Sequence, residues 1–171
     1  MNSSLSYNGI VTIVTKMGDK IVNKRYHNNG TTLLFELYAR ALAGQGVSRI
    51  LPSYIDFGTV QSDGTTYESG IKNSAPVIVT YVDKVNGAAA EYPYNKVPVT
   101  RVEAIVTKNM FEVGKLSGLN TVQLRTHDGR VLAQVSVANI GASIQTIPAG
   151  AQMIVVWDLY VDNNSSTDGG N

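Results

Sequence analysis

The chain has 171 residues, 43% of them hydrophobic and 16% charged, and its 14 basic and 13 acidic side chains leave a formal charge of +1. That length suits one domain with one core, and the charge balance provides no global field to draw the chain to nucleic acid or to an anionic membrane. The absence of cysteine excludes a disulfide scaffold, a thiolate metal site and a cysteine nucleophile together.

The charged share lies below the roughly 25% of ordinary soluble domains. A surface richer in Ser, Thr, Asn and Gly follows, which suits faces that meet other proteins, since charge is depleted at interface cores. Residues 1–8 are mostly polar and lack the basic-then-apolar pattern of a signal peptide, and no apolar run approaches the roughly 20 residues of a membrane span. The expectation is folding in the cytoplasm where the chain is made, without membrane insertion.

In chain order, residues 10–15 form a β-branched run and Ile21 and Val22 follow Met17-Gly18-Asp19-Lys20, which reads as a hairpin with a glycine turn. The period then changes. Leu33, Leu34, Leu37, Tyr38, Ala41 and Leu42 recur at three- and four-residue spacings, predicting a short amphipathic helix near residues 31–43. Thr31 or Thr32 is placed to cap it and Gly44 to stop it, and its apolar stripe is expected to pack on a sheet.

Short strands separated by Gly, Ser, Asn and Pro follow, near residues 54–59, 77–82, 97–107, 121–126, 130–138 and 152–161. Asp128-Gly129 between two alternating apolar runs marks a hairpin, because both residues tolerate positive φ. Met153, Val155, Trp157, Leu159 and Val161 share one face at period two, as a core strand requires. The predicted class is mainly β, an antiparallel β-sandwich (jelly-roll-like) with one short helix. Polar loops at 61–70 and 83–95 carry Tyr67, Tyr92 and Tyr94, the candidate interface residues. The expected organisation is a flexible N-terminal arm at 1–8, one sandwich domain at 9–162 and a polar tail at 163–171.

Chemistry is sparse. His27 and His127 both adjoin turn residues, where histidine is more often solvated than catalytic. Asp56, Glu103 and Asp158 lie in predicted strands, and no G-x-S-x-G, G-x-G-x-x-G, Walker or H-E-x-x-H motif is present. The oxygen-rich segment 162–169 lacks the glycine position and closing glutamate of a calcium loop. Asn29-Gly30-Thr31-Thr32 at the helix start has neither the spacing nor the lysine of a phosphate loop. The reading is therefore of a chain that is not an enzyme and carries no cofactor or metal.

The features come in a distinctive order. Lys20-Ile21-Val22 and Asn28-Asn29-Gly30-Thr31 lead to a helix ending Ala41-Leu42-Ala43-Gly44, and then to Pro52-Ser53-Tyr54-Ile55-Asp56-Phe57-Gly58. Then come Val99-Thr100-Arg101-Val102-Glu103-Ala104, Gly129-Arg130-Val131-Leu132-Ala133-Gln134-Val135, and a closing Ile154-Val155-Val156-Trp157-Asp158-Leu159-Tyr160-Val161. Over about residues 9–163 this order resembles small structural proteins of tailed bacteriophages, and the resemblance implies a virion component of the tail, collar, baseplate or fibre-attachment type. It implies homo-oligomers and contacts with other virion proteins, and residence in the virion after folding in the host cytoplasm. The two terminal segments would then serve as arms that complete a neighbour's sheet edge. The competing reading is a carbohydrate- or receptor-binding β-module that uses Tyr67, Tyr92 and Tyr94. A small hydrolase built on Asp56, Glu103 or Asp158 is the third and has the least support.

Overall fold

The computed structural model describes residues 4–17, 20–83 and 97–164. β1 (Ser4–Met17) and β2 (Lys20–Asn29) form the expected hairpin, with Met17 opposite Lys20. Its β-branched residues alternate as a strand demands. Val11 and Ile13 enter the core, while Thr12 and Val14 stay partly exposed on the other face.

The helix follows as α1 (Thr32–Leu42), which buries Leu33 and Leu34. It ends as the sequence predicts. Gly44 has φ 67°, its N–H donates to the Ala41 carbonyl, and the Gln45 N–H reaches back to Arg40, the paired bonds of a Schellman motif. The start differs from expectation. Thr31 has extended backbone, but its hydroxyl donates to the Leu132 carbonyl at 2.7 Å and makes no cap bond, so it ties the helix to a strand a hundred residues away.

The remaining elements are β3 (Pro52–Val60), β4 (Tyr67–Ser69), β5 (Ala75–Pro76), β6 (Ile78–Val82), β7 (Val99–Thr107), β8 (Thr121–Thr126), β9 (Val131–Ser136), α2 (Ile140–Gln145) and β10 (Gln152–Asn164). Two 3-10 turns, Lys108–Met110 and Val113–Gly118, lie between β7 and β8. All pairings are antiparallel, in two sheets. One has the order β2-β1-β10-β7-β6; the other is β4-β3-β8-β9, with β5 also paired to β3. Among the described residues no helix is long and apolar enough to cross a membrane.

The sheets close on one core. Trp157 and Val155 of β10, Val102 of β7, Val11 of β1, Ile55 and Phe57 of β3, and Val122 and Leu124 of β8 are all fully buried in it. Phe57 meets Phe111 edge to face at 5.2 Å. The short α2 supplies Ile140 and Ile144 to the same core, and Gly141 packs flush against the 3-10 turn at Leu116.

Two boundaries differ from the sequence reading. β1 begins at Ser4, inside the segment assigned to an arm, and Ser4 to Asn8 pair with Asn164 to Tyr160 of β10. A polar segment can run in strand because each backbone group finds a ladder partner. The β8–β9 hairpin is present, but only Gly129 takes positive φ, at 83°. The Thr126 N–H bonds to the Arg130 carbonyl and the Gly129 N–H to Thr126, giving a three-residue loop that ends in a left-handed glycine instead of a two-residue turn.

Candidate functional site

A strand at the rim of a sheet exposes unpaired N–H and C=O groups, and proteins blunt such rims with charge or cover. The β2-β1-β10-β7-β6 sheet treats its two rims differently. β2 carries Lys24 and Arg25, both exposed. β6 reads Ile-Val-Thr-Tyr-Val and carries no charge. Ile78 is 68% exposed, Val79 45% and Tyr81 71%, and among the described residues β6 pairs with β7 alone.

The chain path explains why this rim is open. β5 belongs to the opposite sheet, where Val77 N–H still donates to the Ser53 carbonyl, and the chain then crosses over to lie along β7. Val79 is placed opposite buried Val102, and Tyr81 opposite Thr100, so both point toward the interior side. Their exposure means that the second sheet stops short of them.

A cleft of about 490 Å³ fills that gap. α1 forms one wall with Leu34, Leu37, Tyr38 and Ala41; Val79 and Tyr81 of β6 form another; Leu159 and Val161 of β10 lie at its floor. Tyr7 of β1 stands between, its ring 4.5 Å from Phe35 and 5.9 Å from Tyr38 in edge-on contacts. Burial, followed by the neighbouring Tyr38, pushes the Tyr7 phenol above its ordinary pKa. The lining is thus mostly apolar, and its members that carry a hydroxyl are Tyr7, Tyr38, Tyr81, Tyr160 and Thr100. Such a surface holds extended apolar or aromatic groups and offers no acid–base pair.

Tyr67 lies elsewhere. It sits in β4, opposite Val60, with its ring over Gly58 and its phenol oxygen buried. The Arg125 guanidinium stands 5.1 Å from the ring centroid. Burial first, then the adjacent Asp56 carboxylate, pushes the Tyr67 phenol far above its ordinary value. Asp56 itself is buried, accepts the Ser69 hydroxyl at 2.7 Å and faces Arg125 at 3.6 Å. This is a polar plug on the outer face of the second sheet. Tyr92 and Tyr94, in the loop that sequence reading favoured, lie outside the described residues.

The three strand carboxylates do not form one group. Glu103 and Asp158 share the outer face of one sheet, opposite Val156 and Arg101, whereas Asp56 lies on the outer face of the other sheet, opposite Gln123. His27 and His127 are exposed, in β2 and in the β8–β9 loop. Among the described residues no group of three metal-ligating side chains gathers. At the start of α1 the Gly30 and Thr31 N–H groups are bonded to the Tyr7 and Leu132 carbonyls, which removes them as anion donors.

Sequence reading located β6 as a strand at 77–82 but missed the cleft, because its walls come from residues as far apart as 7, 34–52, 79–81, 97–100 and 159–161. The available signal was the lack of charge in Ile78-Val79-Thr80-Tyr81-Val82, unusual for a rim strand. Comparison with known proteins finds no protein family, no curated protein and no solved structure that matches the chain.

Proposed function

We propose that this chain is an architectural subunit that acts by symmetric assembly, as a structural component of a bacteriophage virion of the tail, collar, baseplate or fibre-attachment type. The observation that supports assembly is the uncharged, exposed β6 rim on a sheet whose other rim carries Lys24 and Arg25. Such a rim invites strand addition, in which main-chain bonds supply affinity and side-chain pockets supply specificity. The virion setting rests on the resemblance in motif order given above. Light scattering of the full chain at two concentrations, followed by negative-stain imaging, tests the reading. Rings or another fixed-stoichiometry oligomer support it; a monomer at both concentrations counts against it.

A second reading has its own observation. Four tyrosines, Tyr7, Tyr38, Tyr81 and Tyr160, border one apolar cleft, and aromatic rings suit the flat apolar faces of sugars or the side chains of a receptor. Glycan-array binding by the monomer that is lost in Tyr38→Ala and Tyr81→Ala would favour this carbohydrate- or receptor-binding module.

A further inference from the structure

The inference rests on the assembly reading and names its partner. We propose that β6 adds edge to edge to β6 of a second copy of this chain, antiparallel about a twofold axis at Thr80, so that two five-stranded sheets become one continuous sheet.

Charge selects this pairing. Among the described residues the sheet has two rims, so three combinations are available: β2 with β2, β2 with β6, and β6 with β6. The first gathers Lys24 and Arg25 of both copies along one seam, and like charges brought together across strands are destabilising. The second sets those cations against a strand with no carboxylate to meet them. Only β6 against β6 places no charge in the seam.

The register follows from the five residues. Centring on Thr80 uses all of them, with Thr80 against Thr80, Val79 against Tyr81 and Ile78 against Val82 of the other copy. Each is a favourable cross-strand type: hydroxyl with hydroxyl, β-branched with aromatic, β-branched with β-branched. It also keeps Val79 and Tyr81 of both copies on the same interior side, because residues directly opposite share a face.

The cleft gives the pairing its depth. Val79 and Tyr81 are both wall residues, so Tyr81 of the second copy comes to lie beside Val79 at the mouth of the cleft. The two clefts then lie on the same face of the joined sheet, one on each side of the axis, and the other copy's β6 extends the wall of each. A contact of this kind is isologous and closes at two copies, which makes the dimer the unit from which any larger ring is built.

The chain has no cysteine, so Thr80→Cys introduces a single thiol at the axis, and cross-strand neighbours lie within disulfide reach. Mild oxidation of full-length T80C is expected to give a covalent dimer that reductant reverses, while T65C, in an exposed loop, stays monomeric on the same gel. A charge exchange provides the second measurement. V79K/Y81K and V79E/Y81E should each weaken the dimer about tenfold or more, from roughly 1.4 kcal/mol of repulsion, and an equal mixture of the two should restore it, because each lysine then faces a glutamate. An oligomer that persists in V79K/Y81K and gives no T80C cross-link overturns this inference and leaves the assembly reading standing. A wild-type chain that is monomeric at both concentrations overturns both, and a glycan bound in the cleft of that monomer would identify the occupant instead.

Discussion

Arg101 and Asp158 face each other directly across β7 and β10, and the guanidinium meets the carboxylate through two hydrogen bonds, Nε to Oδ1 at 2.8 Å and Nη2 to Oδ2 at 3.0 Å. Asp158 is 1% exposed although it points away from the main core, on the outer face shared with buried Ile10 and Tyr160. Removing the cation alone takes a charged partner from a buried carboxylate. Arg101→Met is expected to cost about 3 kcal/mol, and the double variant R101M/D158L to regain much of that loss. Urea unfolding of the three proteins measures it; equal midpoints for single and double variants would refute the argument.

Trp157 is the sole tryptophan of the chain, is fully buried, and its indole N–H donates to Asn28 Oδ1 at 3.1 Å. Native fluorescence should therefore be blue-shifted and poorly quenched by acrylamide, with a red shift on unfolding. Asn28→Ala leaves the indole N–H without its acceptor and should cost about 1–2 kcal/mol, read from the same fluorescence transition.

Two exposed carboxylates set a prediction for acid. The Thr66 hydroxyl, then the Thr66 and Thr65 backbone N–H groups, lower the Asp63 pKa to about 2, and Arg130, followed by the Thr126 hydroxyl, lowers that of Asp128 to about 2. In the unfolded chain each returns to about 3.8. A depressed folded-state pKa favours the ionised carboxylate, so each contributes stability that is present above about pH 4 and lost as pH falls through about 2. Carbon-detected titration should find both midpoints well below the ordinary value of about 3.8, and thermal unfolding of D63N and D128N should depend less on pH between 4 and 2.

Glycines at two positions should respond with opposite sign. A Cβ on Gly141 would run into the Leu116 backbone carbonyl, which has no rotamer by which to move away. Gly141→Ala is expected to destabilise by about 2–3 kcal/mol. Gly46 sits in open space without positive φ, so Gly46→Ala should be neutral or stabilise by about 0.5 kcal/mol, through the unfolded state. Thermal melts of the two variants separate the cases.

Local pattern carried much of the architecture. The spacing of Leu33, Leu34 and Leu37 and the position of Gly44 predicted α1 and its end, since both depend on backbone geometry within a few residues. Alternation through Met153, Val155, Trp157 and Leu159 assigned one face of β10 to the core, as observed. Asp128-Gly129 marked the β8–β9 hairpin but not its loop length, because the register is also set by the irregularity between Leu124 and Arg125. The six-residue α2 is too short for a helical period to emerge from the sequence, and it is held by Ile140 and Ile144 against distant elements.

Composition and periodicity by themselves determined a single β-rich class, the faces of its strands, its principal helix and the absence of familiar catalytic motifs. The tertiary structure alone decided that Tyr67 is folded over Gly58 and Arg125, that Asp56 and Asp158 lie on opposite faces of the sandwich, and that β6 is a rim among the described residues. The physical reason is range. Period and turn chemistry act within a few residues, whereas strand order is fixed by core contacts between segments as far apart as Val11, Phe57, Val122 and Trp157, and a cleft exists only where distant segments leave space between them.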